Sequence, residues 1–194
     1  MRGADQLVQI VDQAMAEAVR RSGSWLACHI GCYECCIGPF PITQLDGLRL
    51  RTGLAELETR DPERAARVLR RARASVERMR SEFPQNPVET VLALDEGADD
   101  EPCPALDPET GACDLYDARP ITCRTFGPAV RQPGGSSLAI CELCFRGASG
   151  EEIAACAVEV DPGNLEAELL QELERTTGAR GDTIVAFAIA EYGV

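Results

Sequence analysis

The sequence contains no lysine; all 19 of its basic residues are arginine, which excludes Schiff-base chemistry and any lysine-borne cofactor. Histidine is nearly as scarce. His29 stands alone, so neither a histidine-rich metal site nor a repeated histidine–carboxylate relay can be assembled. Long apolar runs are missing as well. The longest late one, Ile184 to Ala190, falls far short of the ~20 residues a bilayer-crossing helix needs. The first residues, MRGADQLVQIVDQAMAEAVRR, interleave charges with apolar side chains and never form the uninterrupted apolar segment of a signal peptide. A cytoplasmic protein is the expectation.

Positive charge is in deficit. Thirty-two acidic residues against 19 basic ones leave a formal net charge of -13, which opposes binding to phosphate backbones and anionic lipid. Neither nucleic acid nor membrane is expected as a partner. What the chain has in quantity is thiol, with ten cysteines among 194 residues. In a reducing compartment such thiols read as metal ligands or redox groups before they read as disulfides. The adjacent pair Cys35-Cys36 points the same way.

The length suits one domain with a core of its own, and residues 1–194 are read as one unit. Ala4, Leu7, Val8, Val11, Ala14, Met15, Ala18 and Val19 recur at helical spacing, predicting an amphipathic helix over 5–22 that ends near Gly23. Thr43 opens a second helical pattern carrying Leu45, Leu48, Leu54 and Leu57, with a break or kink expected at Gly53. Asp61-Pro62 supplies an N-cap and a first-turn proline for a third helix, with Ala65, Leu69, Ala72, Val76, Met79 and Phe83 inward. Its outer face carries Arg64, Arg67, Arg70, Arg71, Arg73, Arg78 and Arg80, a ridge read as solvated and paired with carboxylates. From Pro84 to Glu101 the chain turns acidic and irregular and reads as a connector. Residues 102–147, rich in proline and glycine, predict loops, a hairpin and short turns. Helical patterns return at Ser149–Ala157, Asn164–Thr176 and Asp182–Tyr192, the last almost wholly apolar and so expected to be buried.

The cysteines fall into three groups along the chain. Cys28, Cys32, Cys35 and Cys36 form a C-x3-C-x2-C-C run, whose short spacings let one ion or cluster reach several thiolates. Cys103, Cys113 and Cys123 lie at equal separations in CPALDPETGACDLYDARPITCRTF. There Asp107-Pro108-Glu109-Thr110-Gly111 is a turn sequence that folds Cys113 back toward Cys103. Arg119 and Arg124 bracket Cys123, and their charge suits a thiolate site carrying excess negative charge. Tyr116 stands within reach to hydrogen-bond in the same shell. Cys141 and Cys144 make a C-x2-C pair of the kind that grips zinc or part of a cluster. Cys156 stands apart and reads as a buried free thiol, and His29 as a residue beside the ligands rather than one of them.

CHIGCYECCIGPFPIT followed by CPALDPETGACDLYDARPITCRTFG resembles the YkgJ-like CxxCxxCC cysteine-cluster family, described as zinc- or iron-chelating. The most specific part is Gly111, Cys113, Tyr116, Arg119, Pro120, Cys123 and Arg124, carrying G-x-C-x-x-Y-x-x-R-P-x-x-C-R. By resemblance Cys28, Cys32, Cys35, Cys36, Cys103, Cys113 and Cys123 take the family's cysteine positions, and Cys141 or Cys144 supplies an eighth. The first gap holds three residues, Cys28 to Cys32, where the family's name implies two. The family is in turn similar to bacterial flagellin lysine methylases, which are associated with an iron-sulfur cluster. Cys28, Cys32 and Cys35 also copy the three-cysteine loop of radical S-adenosylmethionine enzymes, but the repeated strand-helix pattern of those barrels is missing here.

The expected architecture is mainly α, an irregular helical domain packed around a loop-rich, cysteine-ligated metal centre. Its cysteine core spans about 24–147, with helices 5–22 and 164–192 packed on it. The expected function is thiolate binding of zinc or iron. The alternative is an iron-sulfur protein, with a [4Fe-4S] cluster, acting in redox chemistry or protein modification. A third reading is a helical interaction module whose metal merely staples loops. Sequence does not choose among the metals, since thiolates suit both, and no nucleophile–base pair argues for catalysis.

Overall fold

The computed structural model describes residues 2–29, 31–93, 100–131 and 137–192, and the fold is mainly α-helical. In chain order the elements are α1 Arg2–Ser22, α2 Gln44–Arg60, α3 Pro62–Glu82, α4 Pro87–Ala93, α5 Ile121–Thr125, β1 Val130–Arg131, β2 Leu138–Ala139, α6 Gly150–Cys156, α7 Leu165–Thr177 and α8 Val185–Ala190. Among the described residues no helix is long and apolar enough to cross a membrane. The chain forms two compact units, each traced twice: Met1–His29 with Ile121–Gly178, and Ile30–Pro120 with Ala179–Val194.

In the first unit α1 packs against α5, α6 and α7. Ala4, Leu7, Val11, Met15 and Ala18 form its buried stripe, the spacing expected of one helical face. Val19 departs from that expectation and lies exposed, one step off the stripe. Asp5 in the first turn and Arg20 and Arg21 in the last complement the helix dipole. The predicted hairpin is a two-residue antiparallel pair, Val130 opposite Ala139 and Arg131 opposite Leu138. A short satellite core lies beneath it, with Ala129, Cys144, Phe145, Cys156 and Ala157 buried against Trp25 and Leu26. Ser149 and Glu152 close a reciprocal capping box at the start of α6, which satisfies two of the helix's unpaired N–H groups.

In the second unit α2, α3 and α8 pack on one another. Leu50, Leu54, Leu57, Val68, Ala72, Val185 and Ile189 share one core, each large side chain contributing about 1.5–3 kcal/mol by burial. α8 is delivered to that core by reciprocal backbone bonds between Ile42 and Thr183, at 2.8 and 2.9 Å. Its buried run Val185–Ile189 agrees with the apolar reading of the segment.

Two local expectations are corrected. α2 runs through Gly53 without interruption. A Cβ there would press on the side chain of Ala118, so the glycine permits close approach of the Tyr116–Ala118 turn instead of breaking the helix. The acidic stretch after Pro84 is not wholly irregular, because Pro87–Ala93 folds as α4 and buries Val91. The rest of that expected connector, 94–99, and the tip of the hairpin, 132–136, lie outside the described residues.

Candidate metal centre

All ten cysteines are free thiols. The sequence groups them by proximity along the chain, and the structure regroups them. Cys32, Cys35, Cys36, Cys103 and Cys113 belong to the second unit, and Cys28, Cys123, Cys141, Cys144 and Cys156 to the first.

In the second unit Cys35 and Cys36 sit on a single 3-10 turn, Glu34–Cys36, and the next residue, Ile37, pairs antiparallel with Pro102. The Gly38 N–H donates to Glu101 O at 2.8 Å and the Cys103 N–H to Cys36 O at 2.7 Å. That clamp sets Cys36 beside Cys103. The predicted turn then returns the chain: Gly111 N–H donates to Asp107 O at 2.9 Å, Asp107 N–H to Ala112 O at 2.8 Å, and Asp114 N–H to Ala105 O at 2.7 Å. Leu106 lies opposite Cys113. Gly111 adopts φ +67, a left-handed conformation that glycine accepts without a Cβ penalty. Cys32 lies in the loop before the turn, partly exposed.

The Leu106 N–H closes the turn after Cys103 on the Cys103 carbonyl oxygen at 2.9 Å. Burial pushes the Cys103 thiol up to about 12 and raises Cys113. The hydrogen bond from Cys36 holds the Cys35 thiol down at about 6. Cys36 moves upward, chiefly because it donates to Cys35, with burial and the charges of Cys35, Cys103 and Cys113 adding to the shift. Cys35, Cys36, Cys103 and Cys113 thus feel one another's charge.

Arg119 lowers both Cys35 and Cys113 by its charge. Its guanidinium lies 3.5 Å from the centre of the Tyr116 ring, and its Nε donates to Tyr116 O at 2.9 Å. Tyr116 is itself exposed. Sequence spacing missed the residues that brace this turn. Asp114, 2% exposed, receives Arg64 Nε and Arg71 Nη2, each at 2.5 Å, and Arg71 Nε also donates to Pro104 O at 2.8 Å. Two members of the arginine ridge therefore turn inward and tie α3 to both arms of the Cys103–Cys113 turn. No signal in the sequence marks Asp114 beyond its place next to Cys113.

In the first unit Arg124 is buried and donates to both carboxylate oxygens of Asp12, at 2.9 and 3.0 Å. Cys123 precedes it on α5. Cys28 is exposed, and burial raises Cys141. Cys156 is buried, its thiol donating to Arg21 O at 3.3 Å. His29 is exposed, with Nδ1 donating to Ala27 O at 2.9 Å.

Among the described residues no three His, Cys, Asp or Glu side chains are already gathered in a metal-holding arrangement. The donor chemistry does fit zinc or iron: several thiols, with an arginine to offset negative charge. A family model described as "Putative zinc- or iron-chelating domain" matches residues 27–144. The chain belongs to the CxxCxxCC family. No curated protein and no solved structure matches the chain. The CxxCxxCC match takes in every cysteine except Cys156, and metal binding is the activity its description supports.

Proposed function

We propose that this CxxCxxCC protein binds zinc or iron through thiolates, with Cys35, Cys36, Cys103 and Cys113 as the ligand set of the second unit. The observation that carries the reading is the backbone clamp that sets Cys36 beside Cys103, with the Cys103 N–H on Cys36 O at 2.7 Å, and the turn that returns Cys113 opposite Leu106. A thiolate-bound ion would supply a cross-link between those stretches and, for iron, a redox-active centre. This chain's residues do the rest. The clamp between Cys36 and Cys103 and the turn over Asp107–Gly111 position the sulfurs, and Arg119 offsets the charge of a four-thiolate site. Ten free thiols suit a reducing compartment such as the cytoplasm. The same all-sulfur donor set favours a [4Fe-4S] cluster as the second reading, because sulfur alone ligates it.

Anaerobic purification followed by metal and sulfide analysis tests both readings. Zinc or iron bound in a fixed ratio, and lost on Cys103→Ser substitution, is the expected result. Equal amounts of iron and acid-labile sulfide, with visible absorption that bleaches on reduction, select the cluster. A metal-free chain that takes up neither zinc nor iron under reducing conditions overturns the proposal.

A further inference from the structure

α3 holds seven of the chain's 19 arginines, and the structure divides them into two sets. Arg64 and Arg71 close on Asp114, and Arg78 closes on Glu101. Arg67, Arg70, Arg73 and Arg80 are exposed, and among the described residues none of these four is paired with a carboxylate. They recur every three or four residues, with Glu77 in the same series, and so lie along one side of the helix. Like charges at that spacing repel one another. Only Glu77 interrupts the strip.

The C-terminal half of this strip borders a groove of about 420 Å³ between α3 and α8. Val76, Phe187 and Ala190 give it an apolar floor, and Arg73 and Arg80 line it. The Arg80 guanidinium lies 5.5 Å from the centre of the Phe187 ring, a cation–π contact that holds the charge at the edge of the groove. Glu77 and Glu191 line the same groove, with Glu191 3.9 Å from Arg51. The surface is therefore not a uniform cationic patch. It sets charges of both signs around an apolar floor, with the excess of positive charge running toward Arg67.

We infer that the strip from Arg67 to Arg80 and the groove beside it dock an acidic, amphipathic segment of a partner protein, whose carboxylates meet the four arginines and whose apolar side chains enter over Phe187. At the helical rise the strip extends about 20 Å, longer than a small ligand held in the groove alone. A phosphate backbone or an anionic bilayer would bring negative charge to Glu77 and Glu191 as well, and a chain of net charge -13 repels such surfaces at range. A peptide avoids both costs. It presents few charges, sets acids opposite the arginines and a neutral or basic residue opposite Glu77, and carries apolar anchors at helical spacing. No cysteine lines this groove, so docking does not depend on what the thiols bind.

Fluorescence anisotropy on the full chain tests this with two labelled peptides that share leucines at helical spacing, one carrying glutamate between them and the other lysine. The glutamate peptide should bind, more weakly as salt rises, and Arg73→Ala/Arg80→Ala should lower its affinity about tenfold or more. Arg20→Ala/Arg175→Ala changes the net charge equally, on exposed arginines of the first unit, and should leave affinity unchanged. Arg73→Glu/Arg80→Glu should transfer the preference to the lysine peptide. Equal binding of both peptides by the wild-type chain, an affinity that ignores Arg73 and Arg80, or no binding of the glutamate peptide overturns the inference. A DNA duplex or phosphatidylserine vesicles bound more tightly than the glutamate peptide, and released by the same substitutions, overturn the assignment to a protein segment. Should an arginine variant fail to fold, phenylglyoxal labelling of the wild-type chain, read by mass spectrometry, decides instead. Bound glutamate peptide should shield Arg73 and Arg80 but not Arg175, and equal labelling with and without the peptide overturns the docking.

Discussion

The backbone N–H of Cys103 donates to the carbonyl oxygen of Cys36 at 2.7 Å. The two cysteine-bearing stretches are thus joined by main chain. Cys36→Ser is expected to remove the second unit's metal while leaving the apo fold in place. Thermal scans should show a metal-free Tm equal to that of the wild-type apo-protein, with that ion's share of the zinc-dependent rise gone, as mass-action linkage requires. An unfolded variant would show that the ion, and not the clamp, builds the site.

Asp114 is the keystone between α3 and the turn. Removing its charge strands two guanidinium groups. A broken buried ion pair costs about 3–5 kcal/mol, but Arg64 and Arg71 keep 37% and 27% of their side-chain surface, so screening brings the expected cost of Asp114→Ala to about 2–3 kcal/mol. Urea denaturation measures it. Zinc affinity should fall with it, since Cys113 is the preceding residue, and an unchanged midpoint would refute the bracing role.

Gly53→Ala sets two effects against each other. Helix propensity favours alanine by about 0.5–1 kcal/mol, whereas forcing a methyl into a packed contact costs about 1–3 kcal/mol. Because the methyl would press on Ala118, a net loss of about 1–2 kcal/mol is expected from these ranges. A stabilised variant in chemical denaturation would contradict the close approach.

Proton release reports the ionisation of the sulfurs. Cys103 is raised to about 12, and Cys36 and Cys113 also move upward, so near pH 7.5 all three enter the site as thiols, while Cys35, at about 6, enters as thiolate. Binding at this site should then release about three protons per ion, and affinity should weaken as pH falls. Calorimetry in buffers of different ionisation enthalpy counts them, and release of four, or of none, would refute this assignment. The sign for the apo-protein is the reverse. A folded-state value above the ordinary value near 9 means that the contribution from Cys103 is fully present below that pH and is lost as pH climbs through about 12.

Gly127→Ala tests the packing of the first unit. Its Cβ would sit 2.6 Å from Cys28 Sγ, on a backbone at φ +107 that disfavours any side chain. A loss of about 1–3 kcal/mol, as for overpacking, is expected in urea denaturation. An unchanged midpoint would contradict the contact.

Much of the helical framework was open to reading from residue spacing. α1 and α3 carry unbroken apolar stripes, and Asp61 caps α3 by accepting the Arg64 N–H at 3.0 Å, as the Asp-Pro pair foretold. Gly53 misled because propensity is local, whereas its role is set by Ala118, which is distant in sequence. The arginine ridge read as a solvated face paired with carboxylates, but nothing in its spacing shows that Arg64 and Arg71 share one buried carboxylate, Asp114. The cysteines were found as ligand candidates from their number and neighbours, but their grouping was not. Cys28 and Cys35 are close in sequence, and only long-range backbone bonds send them to different units.

The reciprocal bonds between Ile42 and Thr183, and the burial of α8 against α2 and α3, bear on how the chain is made. During synthesis α2, α3 and the Cys103–Cys113 turn emerge long before Ile184–Ile189, so their apolar faces wait without their final covering. Thiols in a nascent chain of this kind are open to oxidation and to adventitious ions throughout that interval. A ribosome-bound intermediate stalled before Thr183 should accordingly be far more readily alkylated at Cys103 than the released protein.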